Sequence, residues 1–169
     1  MARHTFFQGK ELQLTGTPIS IGDALPSVTL TGSDMQDLST DQFKGKVLVV
    51  AAVPSFDTPV CAIETKRFNQ EIDKVSSDAV VLAVSMDLPF AQKRFCGAEG
   101  IERVVTASDY KYRSFGSVFG TFISDWGLHS RAIFVFDRAG KAVHVEYVPE
   151  VPSEPNYDLA LEAVKAASK

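Results

Sequence analysis

The sequence contains only two cysteines and three histidines in 169 residues, and it lacks several features that would place it in a functional class at once. It has no basic stripe. Lysines and arginines stand singly or in pairs, the formal net charge is −4 and the pI is near 5.4, which argues against a nucleic-acid partner. No stretch approaches the roughly 18 apolar residues of a membrane span. The segment up to Gly16 has no apolar run long enough for a signal-peptide core. The expected compartment is therefore the cytoplasm, with no membrane partner. Internal repeats, low-complexity tracts and shifts in composition are also missing. With 45% hydrophobic and 22% charged residues, the reading is one globular domain over residues 1–169 with a real core.

The scarcity of cysteine narrows the chemistry. Two thiols in a reducing compartment make a poor permanent staple, which leaves metal ligands, catalytic groups or small buried hydrophobes. A Cys-x-x-Cys redox pair is absent, because Cys61 is followed by Ala62, Ile63 and Glu64. A structural zinc needs four ligands at short spacings, whereas His4, His129 and His144 are scattered. Neither metal nor cofactor is expected. A Cys–His hydrolase would have to recruit His129 from a distant part of the chain.

The residues present alternate between strand and helix patterns. Alternation around Gln8-Gly9-Lys10 predicts an N-terminal β-hairpin, from His4–Phe7 and Leu12–Leu14. Residues 46–53 form a near-continuous apolar run stopped by Pro54, the mark of a strand buried on both faces. A helix is predicted over residues 59–75, with Val60, Ile63, Phe68 and Ile72 inward and Glu64, Lys66, Arg67 and Glu71 toward solvent. A second apolar run at 79–84 completes a strand–helix–strand unit. A short helix is predicted over 89–95, ended by Gly97. A weak strand follows at 104–106, then a hairpin from 133–136 and 143–147, and a closing helix over 156–167. The fold class is α/β, a mixed central sheet flanked by helices. The aromatics of residues 110–119 read as core more than as a dimer or substrate rim, and Trp126 has no assigned role.

Cys61 stands where the first buried strand hands over to the long helix, at the carboxyl end of a strand, where open α/β sheets keep their ligand crevice. Thr58 is suited to cap the helix and Pro59 to begin it, which puts Cys61 in the first turn among unpaired N–H groups. That placement favours a thiolate and should lower the thiol pKa. The gain is limited. Moving a thiol from about 8.5 to about 6 raises its ionised fraction at neutral pH roughly thirtyfold, about 2 kcal/mol. Fast chemistry also needs donors aimed at a departing group.

The segment Pro54-x-x-x-Thr58-x-x-Cys61 resembles the signature of the peroxiredoxins, and the longer Ser55–Cys61 stretch is similar to that of the bacterial thiol peroxidase subfamily. The segment Leu88-Pro-Phe-Ala-Gln-Lys-Arg-Phe-Cys96-Gly-Ala-Glu-Gly100 resembles the subfamily's resolving-cysteine region. The likeness runs from Phe7 to the last helix, and the one departure is Pro59, where the subfamily tends to carry a small residue. The resemblance implies a thioredoxin-like fold with an N-terminal hairpin, a homodimer, hydroperoxide substrates and thioredoxin as reductant. It also implies roles: Cys61 as peroxidatic nucleophile, Cys96 as resolving thiol in a Cys61–Cys96 redox disulfide, Pro54 shielding the thiolate, Thr58 hydrogen-bonding the peroxide, and Arg131 as the active-site arginine. Joining two cysteines on separate helices implies local unwinding near Cys96, with Phe90 and Phe95 leaving their packing. The competing reading is a peroxide sensor that uses the same cysteine pair to signal.

Overall fold

The computed structural model describes residues 2–169. The N-terminal hairpin forms as expected, from β1 (Arg3–Phe7) and β2 (Lys10–Thr15). It belongs to a small sheet completed by β8 (Phe122–Ile123) and β9 (Leu128–His129), in the order β1-β2-β8-β9. Trp126 lies between β8 and β9 and packs edge-on against Phe7, ring centroids 5.1 Å apart.

The main sheet has seven strands. In chain order these are β3 (Thr29–Gly32), β4 (Asp37–Ser39), β5 (Leu48–Ala52), β6 (Val80–Ser85), β7 (Val104–Ser108), β10 (Ala132–Phe136) and β11 (Ala142–Tyr147). They lie in the order β11-β10-β5-β6-β7-β3-β4. The β5, β6 and β7 strands run parallel, and the remaining pairings are antiparallel, so the sheet is mixed as read from the sequence. Residues 47–53 are buried on both faces because β5 is a central strand, between β10 and β6, with a packed core on each side of the sheet.

Side-chain alternation divides the core in two. Val47, Val49, Ala51 and Val53 face α1 (Pro59–Val75) and α4 (Tyr157–Ala167), together with Phe68, Ile72, Tyr157, Leu161 and Val164. Leu48, Val50 and Ala52 face the opposite way, toward α3 (Phe115–Phe119), whose two phenylalanines stack at 4.2 Å. The helices therefore cover both faces. Phe115 and Phe119 are fully buried, so two aromatics of the 110–119 segment are core.

Two helix readings need correction. In α1 the buried face is Cys61, Glu64, Thr65, Phe68 and Ile72, while Ile63 is 51% exposed. The true stripe is rotated from the one predicted, because a partner for Glu64 comes from a distant strand. The helix expected at 89–95 extends as α2 over Pro89–Glu99. Gly97 lies inside it, and Gly100, in the left-handed conformation at φ 66°, ends it by donating its N–H to the Cys96 carbonyl. Phe90 is 67% exposed and has no packing to leave.

Candidate active site

The site begins where β5 ends. Pro54 is buried just past the strand, and the chain turns through Ser55–Asp57 into α1. Thr58 is extended (φ −85°, ψ 144°) and caps the helix: its hydroxyl accepts from the Cys61 N–H at 3.3 Å and donates to the Ser55 carbonyl at 3.1 Å. Pro59 supplies the first helical residue. Cys61 is thus fixed in the first turn as the sequence implied, but its own N–H is taken up by the cap and is not free.

Strand parity brings Arg131 to the same place. The register pairs Ala132 with Ala52. Ile133 and Val135 point to the α1 face, and Arg131, of the same parity, points there too. It is 1% exposed; Nη1 donates to Glu64 Oε2 at 2.7 Å and Nε to the Val151 carbonyl at 3.1 Å. The Arg131 charge also acts on the Cys61 thiol. Glu64 was assigned to the solvent face; the structure buries it to 1% exposure. Its spacing from Cys61, three residues along one helix face, was the available signal.

The electrostatics correct one expectation. Cys61 is fully buried (0% exposed), and loss of hydration pushes its thiol up rather than down. Arg131, the Thr58 hydroxyl and the Ser55 main chain pull it back in that order, and Glu64 adds to the rise. The helix start supplies too little to offset the desolvation. Burial likewise pushes Glu64 up to about 7, with Arg131 opposing.

Cys96 lies on the last turns of α2, half-buried, and packs against the core cluster that contains Cys61. Both thiols are free. Burial pushes the Cys96 thiol up, with the Thr106 side chain opposing. Its neighbour Phe95 packs against Phe56 of the Cys61 loop, the rings tilted with centroids 5.0 Å apart. A surface cavity of about 370 Å³ beside it is lined by Gly32, Asp34, Lys93, Cys96 and Thr106 among others. Thr58 is therefore bonded to the Cys61 main chain and Arg131 is tied by Glu64 to the same helix, with Pro54 in the adjoining loop and Cys96 across the shared core. His129 is elsewhere, buried between Asp109 at 3.2 Å and Thr121 at 3.1 Å. It packs on Phe115 of the opposite core, so the hydrolase pairing has no geometry behind it.

The sequence model of the Redoxin family matches residues 20–161. The chain belongs to the redoxin family. It is 43% identical over 163 residues to a thiol peroxidase of Bacillus subtilis, covering 96% of this chain and 97% of the relative. It is 47% identical to one of Clostridium acetobutylicum, covering 95% and 97%. Among solved structures, a peroxiredoxin-like protein from Aquifex aeolicus superposes with a TM-score of 0.90 at 41% identity, covering 99% of this chain and 98% of that one. The fold of this family member is thioredoxin-like, and its enzyme class is that of a peroxiredoxin-type thiol peroxidase.

Proposed function

We propose that this chain reduces hydrogen peroxide and organic hydroperoxides with Cys61 as nucleophile and Cys96 as resolving thiol. The observation that carries the reading is a fully buried Cys61 in the first turn of α1, its N–H capped by the Thr58 hydroxyl, on the helix whose Glu64 holds the buried Arg131 guanidinium. The Cys61 thiolate attacks the terminal peroxide oxygen. The O–O bond breaks, the thiol proton ends on the departing oxygen, and water or an alcohol leaves behind a Cys61 sulfenic acid. Cys96 sulfur then attacks Cys61 sulfur, water departs, and a disulfide remains. Arg131 and Thr58 hold the peroxide in line and meet the charge that builds on the departing oxygen. Pro54 closes the loop side of the sulfur.

The disulfide closes the loop between positions 61 and 96, a chain-entropy effect of about 4 kcal/mol on the unfolded state, which offsets unwinding of one helical turn. Cys96 is well placed for that. Its carbonyl accepts the N–H groups of Gly100 and Ile101, so it belongs to the terminal turn, the cheapest part of α2 to open. A dithiol reductant, thioredoxin, restores both thiols by exchange through a mixed disulfide. The homodimer and the cytoplasmic location belong to the same proposal. The dimer is supported by the exposed apolar side chains of Leu88 and Phe90.

The test is peroxide turnover with thioredoxin as reductant. Cys61→Ser should abolish consumption, and Cys96→Ser should consume one equivalent and stall. Multiple turnovers in Cys61→Ser would overturn the proposal, and strictly stoichiometric consumption by the unmodified chain would favour the sensor.

A further inference from the structure

A polar cluster beneath the start of α2 is not used by the chemistry above. The Asp87 carboxylate, two residues before α2, accepts three hydrogen bonds. Oδ1 takes the Ser55 hydroxyl at 2.7 Å; Oδ2 takes the Phe56 N–H at 2.9 Å and the Ser85 hydroxyl at 2.7 Å. Two of the three donors belong to the Cys61 loop. The main chain of Asp87 is fixed as well, its N–H donating to Ser85 Oγ at 3.2 Å and its carbonyl accepting from the Ser108 hydroxyl. Gln92, fully buried on the first turns of α2, donates to Ser85 Oγ at 3.0 Å and to the Ala107 carbonyl at 2.9 Å. Leu88, at the cap position of α2, makes no side-chain cap.

Phe56 is thus gripped twice. Its N–H is held by Asp87, and its ring packs at a tilt against Phe95, next to Cys96. The Cys61 loop and the Cys96 helix are joined by a polar clasp at the start of α2 and an aromatic one near its end. We propose that Asp87 is a positioning residue that clasps the Cys61 loop to α2 and so sets the partition of Cys61 sulfenic acid between disulfide and over-oxidation. This rests on the roles assigned above to Cys61 and Cys96. With the clasp closed, Ser55 and Thr58 stay aligned on the sulfur and unwinding is confined to the last turns of α2. With it open, the loop loses alignment while the whole helix undocks more readily. The two chemical steps therefore respond in opposite directions. The competing fates balance as sulfenic acid plus Cys96 thiol giving disulfide and water, against sulfenic acid plus a second hydroperoxide giving sulfinic acid and water or alcohol.

The experiment measures two rates in the full chain by acid quench, alkylation and mass spectrometry: Cys61 oxidation by hydrogen peroxide, and disulfide formation from the sulfenic acid. Asp87→Ala should slow the first roughly tenfold, the effect of losing charge-assisted hydrogen bonds. It should speed the second severalfold and lower the yield of sulfinic acid at high peroxide. Asp87→Asn, which can still accept from Phe56 N–H and donate to Ser55, should recover most of the first rate. Ser55→Ala, which removes one donor and keeps the main chain, should give a smaller shift of the same sign and stands in if Asp87→Ala fails to fold. Parallel loss of both rates, or no change in either, overturns the proposal. A wild-type chain that forms no Cys61–Cys96 disulfide overturns instead the underlying roles.

Discussion

Arg131→Met removes the buried cation that Glu64 holds on the Cys61 helix and replaces it with an apolar side chain of similar reach. Arg131 is the strongest of the influences that pull the thiol back toward ionisation. At an effective dielectric of about 20, a cation roughly 4–8 Å away is worth on the order of 2–4 kcal/mol to an anion. Allowing for relaxation, the thiolate population at pH 7 should fall about a hundredfold. The assay is the rate of Cys61 alkylation by iodoacetamide across pH 5–10, beside the rate of oxidation by hydrogen peroxide. Both profiles should move to the alkaline side. Arg131→Lys should fall between, because a point charge cannot reach Glu64 and the Val151 carbonyl at once. Stability supplies a second readout. The Glu64 carboxyl is raised from 4.5 to about 7 in the fold. Its contribution is therefore present below about 4.5 and lost as pH rises through about 7. Arg131 limits that loss, so Arg131→Met should cost little near pH 5, where Glu64 carries a proton. Near pH 8 it should cost about 3 kcal/mol, the effect of leaving a buried charge alone. Superimposable alkylation profiles, or equal shifts in denaturation midpoint at pH 5 and pH 8, would refute the reasoning.

Two further outcomes are expected. Thr58→Val deletes both the helix cap and the hydroxyl that favours ionisation of the thiol; denaturation should show a loss of about 1 kcal/mol, peroxide oxidation should slow about tenfold, and Thr58→Ser should restore both. Oxidation by one equivalent of peroxide should speed amide exchange at Gly100 and Ile101, whose N–H groups bond the Cys96 carbonyl. Equal exchange in reduced and oxidised protein would remove the unwinding step.

Most of the fold was legible because its signals are local. The 46–53 run, the cap and proline at Thr58–Pro59, and the alternation of the two hairpins each act over a few residues, and the structure uses them as read. The position of Cys61 followed from the same signals; its acidity did not. That depends on complete burial, which arises from β5, α1 and α4 packing together and has no signature in the residues around it. Glu64 was misplaced for a related reason. A carboxylate on a helix normally faces water, and only Arg131, 67 residues away, makes its burial tolerable. Asp87 was invisible because its donors in the Cys61 loop are 31 and 32 residues distant. Arg131 was reached by resemblance, although β10 parity places it on the correct face once its pairing with β5 is known.

A thiol held above its ordinary pKa is not a defect in such a site. Thiolate nucleophilicity falls as pKa falls, with a dependence of about 0.4–0.5 per unit. Each unit of depression toward ambient pH therefore gains tenfold in population but gives back about threefold in reactivity. Complete ionisation in the resting enzyme would also spend the donors of Arg131, Thr58 and Ser55 on the ground state, where they cannot lower the barrier. In the transition state charge leaves the sulfur for the departing oxygen, and donors fixed by buried hydrogen bonds meet it without reorganising. Burial and Glu64 raise the thiol while Arg131 and the helix cap recover part of the loss. The surroundings of the sulfur thereby favour the transition state over the resting anion.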